Sequence, residues 1–118
     1  MQVTLLSDKD GICRYTISGS VTQQKLRKFD DPLEAGGAEA YGKKNLFDMS
    51  GTEFLDSSGI SWLLVCHKRC REAGGQLVMH SLPKMVNNVL MVLRMNLVFD
   101  IAENEKAALA LSPNEEEA

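Results

Sequence analysis

The chain has 118 residues, enough for one domain whose core hides roughly two-thirds of the unfolded surface. Apolar content of 44% and charged content of 25% are ordinary for a soluble globular protein. A net charge of -3, with a pI near 5.3, argues against a nucleic-acid binder, which carries a basic face. No run approaches the roughly 18 apolar residues of a membrane span, and the start, Met1 to Asp8, lacks the basic and apolar regions of a signal peptide. Cys13, Cys66 and Cys70 show no framework spacing, which fits a reduced, cytoplasmic chain.

In chain order, residues 2–6 and 12–18 read as an antiparallel pair. Cys13, Tyr15 and Ile17 alternate with polar residues, and Asp10-Gly11 is a strong hairpin signal. Thr22 can cap a helix over about 23–29, which Asp30-Asp31-Pro32 interrupts, and Gly36-Gly37 breaks any long helix beyond it. Asn45 to Met49 form a short apolar strand. The chain then passes through Asp56-Ser57-Ser58-Gly59 into a helix of about 58–72, its apolar stripe at Ile60, Leu63, Leu64 and, as the odd member, His67. Gly74-Gly75 stops it. Leu77-Val78-Met79 has the unbroken apolar character of a covered central strand. Pro83 opens a second helix with a buried stripe at Val86, Val89, Leu90 and Leu93. Residues 97–101 read as a last strand, Asn104 caps a short helix through Leu111, and 113–118 form an acidic, frayed tail. A hairpin followed by alternating helices and strands predicts an α/β fold, a mixed sheet with helices packed on it, over residues 1–112.

The residues that carry chemistry cluster where a strand turns into a helix. A helix start offers unpaired N–H groups and the positive end of the dipole, so Asp56-Ser57-Ser58-Gly59 can serve as a plain serine N-cap or can tolerate a phosphate. A phosphate on Ser57 would add about -1.5 to -2 charges while sparing the fold, which is how a reversible switch works. Nucleophilic catalysis is disfavoured. Leu55 stands where a hydrolase elbow has its first glycine, and His67 lies about 15 Å along the same helix from Ser57. Cys66, His67 and Cys70 lack a further ligand pair for zinc, so buried thiols are the simpler reading. Neither an enzyme nor a metal or cofactor is expected. Met85, Met91 and Met95 suit adaptable packing, yet Met85 and Val92 fall outside the buried stripe, and an exposed apolar patch beside the Ser57 loop would suit a binding face. Trp62 reads as a core anchor, with an interface role as the alternative.

Leu46-Phe47-Asp48-Met49-Ser50, a short spacer, and Phe54-Leu55-Asp56-Ser57-Ser58-Gly59-Ile60 together resemble the signature of STAS domains, the anti-sigma factor antagonists. The resemblance continues through Arg71-Glu72-Ala73-Gly74-Gly75-Gln76-Leu77-Val78 and covers residues 2 to about 111. It implies a single domain with a mixed sheet of four or five strands and helices largely on one side. It implies as partner an anti-sigma factor that is also a serine kinase of the GHKL type, bound so that a sigma factor is released. Binding would be switched off by phosphorylation of Ser57 and restored by a phosphatase. Asp56, Ser57, Ser58, Gly59, Ile60, Ser61 and Trp62 would form the switch and partner-binding loop. The alternative is the same fold used without phosphorylation, as a stressosome-like scaffold or ligand-binding module. The oligomeric state is left open by the sequence.

Overall fold

A computed structural model describes residues 2–21 and 38–112. Strand β1 (Gln2–Lys9) and β2 (Ile12–Val21) form the expected hairpin. Asp10 and Gly11 both have positive φ, 56° and 75°, as the tight primed turn of a twisted hairpin requires. The candidate helix at 23–29 lies outside the described residues. A short 3₁₀ turn (Ala38–Gly42) leads into β3 (Lys44–Leu55), followed by α1 (Ser57–Glu72), β4 (Gln76–His80), α2 (Lys84–Val92), a 3₁₀ turn (Met95–Leu97), β5 (Asp100–Ala102) and α3 (Glu105–Ala110).

The five strands lie in the order β1-β2-β3-β4-β5, the first pair antiparallel and the rest parallel. Parallel neighbours need crossovers, and α1 and α2 supply those from β3 to β4 and from β4 to β5. One face of the sheet carries the main core, in which Tyr15, Phe47, Met49, Leu77 and Met79 meet Leu63, Cys66 and Cys70 of α1 and Val86 and Leu90 of α2. Phe47 stands edge-on to Tyr15 at 5.4 Å and stacks with Trp62 at 6.1 Å. Trp62, at 7% exposure, is a core anchor. On the opposite face Leu46 and Val78 pack against Ala108 of α3. Among the described residues, two helices therefore cover the core face and a third covers the other.

Three boundaries differ from the sequence pattern. Strand β3 runs on to Leu55, well past the apolar run ending at Met49, because its second half pairs with β2 through residues Ser18 to Val21. Thr52 Oγ1, buried, donates to the Ile17 carbonyl at 2.9 Å and secures that extension. The expected strand at 97–101 begins only at Asp100, since Leu97 belongs to the 3₁₀ turn. Helix α2 ends at Val92, and Arg94 takes a left-handed conformation at φ 58°, so Leu93 leaves the expected stripe and is exposed.

Candidate functional site

The end of β3 fixes the start of α1. Asp56 has an extended backbone (φ -101°, ψ -175°), and its Oδ1 accepts the Gly59 amide at 2.9 Å, while the Ile60 amide donates to the Asp56 carbonyl at 3.0 Å. Asp56 is therefore the N-cap. Ser57 is the first helical residue, and the plain-cap reading of its hydroxyl is corrected: the acidic neighbour does that work. The Asp56 amide also donates to the Val21 carbonyl at 3.4 Å, tying the turn to the end of β2.

Gly59 is buried because nothing larger fits. A Cβ there would lie 2.3 Å from the Val21 carbonyl oxygen and 2.6 Å from Leu55 Cδ1. At the other end of α1 the Gly74 amide donates to the Arg71 carbonyl (3.1 Å) and the Gly75 amide to that of Cys70 (2.8 Å), with Gly74 at φ 84°. This is the paired-bond glycine stop expected from Gly74-Gly75.

Among the residues of the expected switch loop, Ser57 and Ser61 are exposed, Asp56 and Ser58 are half-buried, and Gly59, Ile60 and Trp62 point into the core. Ser57 and Ser61 are one turn apart on one helix face, with Val65 a further turn along at 42% exposure. Phe54, three residues before Ser57, is 49% exposed. Sequence reading missed Phe54 and Val65 as candidates for a recognition surface. Their signal was a large apolar side chain at a position that neither the β3 alternation nor the α1 stripe directs inward.

The apolar positions expected to be exposed on α2 are so: Met85 at 61% and Val92 at 81%. Met91 is exposed too, whereas Met95 packs partly against the core. Met85, Val89 and Val92, with Lys84 and Asn88, line an apolar groove of about 580 Å³. Its described lining belongs to α2 alone, with no residue of 56–62, so the structure does not join this groove to the Ser57 loop.

Two core thiols are held protonated by burial. Burial pushes the Cys70 thiol up to about 12, against the stabilising effect of the Asn45 amide, whose Nδ2 lies 3.5 Å from Sγ. Burial also raises Cys13. The His67 ring packs edge-on against Phe99 at 5.6 Å, and His80 Nδ1 is 2.8 Å from the Ser81 hydroxyl. Among the described residues no three His, Cys, Asp or Glu side chains are grouped to hold a metal ion. Among them, too, no helix is long and apolar enough to cross a membrane.

Residues 6–100 match the family model described as Mlab, STAS domain, and the chain belongs to the STAS domain family. An anti-sigma-factor antagonist (STAS) domain protein from Planctomyces limnophilus is 21% identical, with a TM-score of 0.74 over 92% of this chain and 96% of that one. An anti-sigma factor antagonist from Mycobacterium paratuberculosis is 20% identical, with a TM-score of 0.70 over 92% of each chain. The unphosphorylated form of the antagonist SpoIIAA is 13% identical, with a TM-score of 0.63 over 98% and 93%. These likenesses show the fold. No match emerges among curated proteins.

Proposed function

We propose that this protein is a cytoplasmic anti-sigma factor antagonist, acting by binding rather than catalysis. Its Ser57 face docks on an anti-sigma factor of the GHKL serine-kinase type, and phosphorylation of Ser57 ends the complex until a phosphatase reverses it. The reading is carried by one observation: Asp56 caps α1, so the exposed Ser57 is not the residue that caps the helix. A dianionic phosphate at the first position of a helix faces the positive end of the dipole, so the fold tolerates it. The partner surface, in contrast, has to desolvate that charge. The similarly folded antagonist structures support the same reading.

The test is an affinity pull-down from the source organism's lysate, with and without ATP, comparing wild type with Ser57→Asp. Retention of a GHKL-type kinase by wild type and its loss with Ser57→Asp is the expected result. Equal retention by both defeats the switch. It would move the assignment to a phosphorylation-independent STAS module, which the family match accommodates equally.

A further inference from the structure

Helix α3 is held on the sheet differently from the other two. It is six residues long, far below the roughly 12–15 at which an isolated helix becomes marginally stable. Only Ala108 of it is fully buried, against Leu46 and Val78, with Leu111 half-buried beside them. Its ends are gripped by cations projecting from the sheet. At the start, Arg14 Nε meets Glu105 Oε1 at 2.9 Å, with Glu105 half exposed. At the finish, Lys44 Nζ donates to the carbonyls of Leu109 (2.7 Å) and Leu111 (3.1 Å). Carbonyls of a last helical turn have no intrahelical partner and carry the negative end of the dipole. Lys44 makes these bonds at a cost: burial pulls its pKa below the ordinary lysine value, with the Asp100 carboxylate opposing that shift.

Hydrophobic burial is thus slight, and the ion pair at the start is of the exposed kind that contributes little. The charged bonds from Lys44 are the strongest single attachment. On the chain side, Glu103 is tethered to the sheet end by the Ser81 amide, 3.3 Å from its carbonyl, so residues 103–104 can act as a hinge.

We infer that α3 is a hinged cover latched by Lys44, which lifts from the outer face of the sheet without unfolding the domain and bares an apolar row formed by Ile12, Leu46, Val78 and Ala102. Openings of this kind, well below the free energy of global unfolding, belong to elements with few buried apolar contacts. The device is independent of Ser57.

Native-state hydrogen exchange on the full chain tests it. The amides of Ala107, Ala108 and Leu111 report the cover, and those of Leu77 to Met79, paired on both sides or flanking such pairs, report the core. In wild type the cover amides should exchange at least about tenfold faster than the core once intrinsic rates are divided out. Lys44→Gln should speed them about tenfold further, the expected loss of a charged hydrogen bond, with core exchange unchanged. Lys44→Arg, which keeps the cation, should restore most of the protection. Cover and core exchanging together in wild type would overturn the inference. So would a Lys44→Gln variant in which the cover is unaffected, or in which cover and core speed up in step.

Discussion

Replacing Asp56 by Ala isolates the division of labour at the helix start. The substitution deletes the 2.9 Å acceptor for the Gly59 amide but keeps the backbone bond to Val21. Loss of a side-chain N-cap costs about 1 kcal/mol. Loss of a negative charge at the positive end of the dipole adds roughly 0.3–1 kcal/mol. The helix it starts is 16 residues long and carries Ile60, Trp62, Leu63, Cys66 and Cys70 into the core, so little of this cost can be escaped by fraying. A total of about 1.5–2 kcal/mol follows, or a fall in Tm of roughly 5–10 °C for a domain of this size. Asp56→Asn keeps an acceptor and should recover most of it. Ser57→Ala removes an exposed hydroxyl and should stay within about 0.5 kcal/mol of wild type. Urea denaturation followed by the fluorescence of Trp62, the one tryptophan in the chain, measures all three. A Ser57→Ala variant that loses as much as Asp56→Ala would refute the reasoning, because Ser57 would then be needed for the fold and could not be freely modified.

Gly59→Ala should cost about 2 kcal/mol: overpacking against the Val21 carbonyl costs about 1–3 kcal/mol, and the better helix propensity of alanine returns only a part. Gly74→Ala meets nothing within 4 Å, and its cost of about 1 kcal/mol should come from the left-handed backbone alone. Urea midpoints separate the two, and a neutral Gly59→Ala would mean that β2 and α1 do not approach as described. On α2, Leu90→Ala should cost about 2–5 kcal/mol, whereas Val92→Ser on the groove side should change the stability by less than about 0.5 kcal/mol. Equal effects would contradict the assigned faces. Alkaline pH should destabilise the protein. The folded state keeps Cys70 protonated up to about 12 while the unfolded thiol ionises near its ordinary 9.0, so the unfolded chain binds fewer protons between these values. The contribution is complete below pH 9.0 and drains away towards 12, with the buried Tyr15 phenol acting in the same direction. A urea midpoint that stays level across this window, or a slope unchanged in Cys70→Ala, would count against it.

The parts of the fold that were legible in the sequence are those where one local rule decides. Asp10-Gly11 can satisfy two consecutive positive φ angles, Gly74-Gly75 can close a helix, and Asn104 can accept the Ala107 amide at 2.9 Å. The illegible parts are those decided by partners distant in sequence. Nothing in Ser50-Gly51-Thr52-Glu53 advertises a strand, yet β2 supplies the edge that makes it one. Met95 to Phe99 is apolar enough for a strand, but Arg94 turns left-handed and winds the chain into a 3₁₀ turn first. The face taken by α3 was undetermined because, among the described residues, no parallel strand follows it, so the handedness that places crossover helices does not apply. Ala108, small enough to lie on Leu46 and Val78, and the two sheet cations settle the matter.

The same separation of roles would let the candidate site stay rigid while the proposed switch operates on it. Along residues 54–65 the side chains that hold the structure, Leu55, Gly59, Ile60, Trp62 and Leu63, alternate with Phe54, Ser57, Ser61 and Val65, which face solvent. A phosphate on Ser57 would sit beside the Asp56 carboxylate, whose repulsion opposes the dipole's attraction, and each is of order 1 kcal/mol at an exposed helix start. The folding balance would therefore scarcely move. A partner closing over Phe54, Ser61 and Val65 would have to strip water from a group of about -1.5 to -2 charges, a penalty that falls on the complex and not on the fold. If the proposed switch operates, its selectivity arises here: the modification is nearly neutral for the fold and costly for the complex, because Asp56 rather than Ser57 holds the helix.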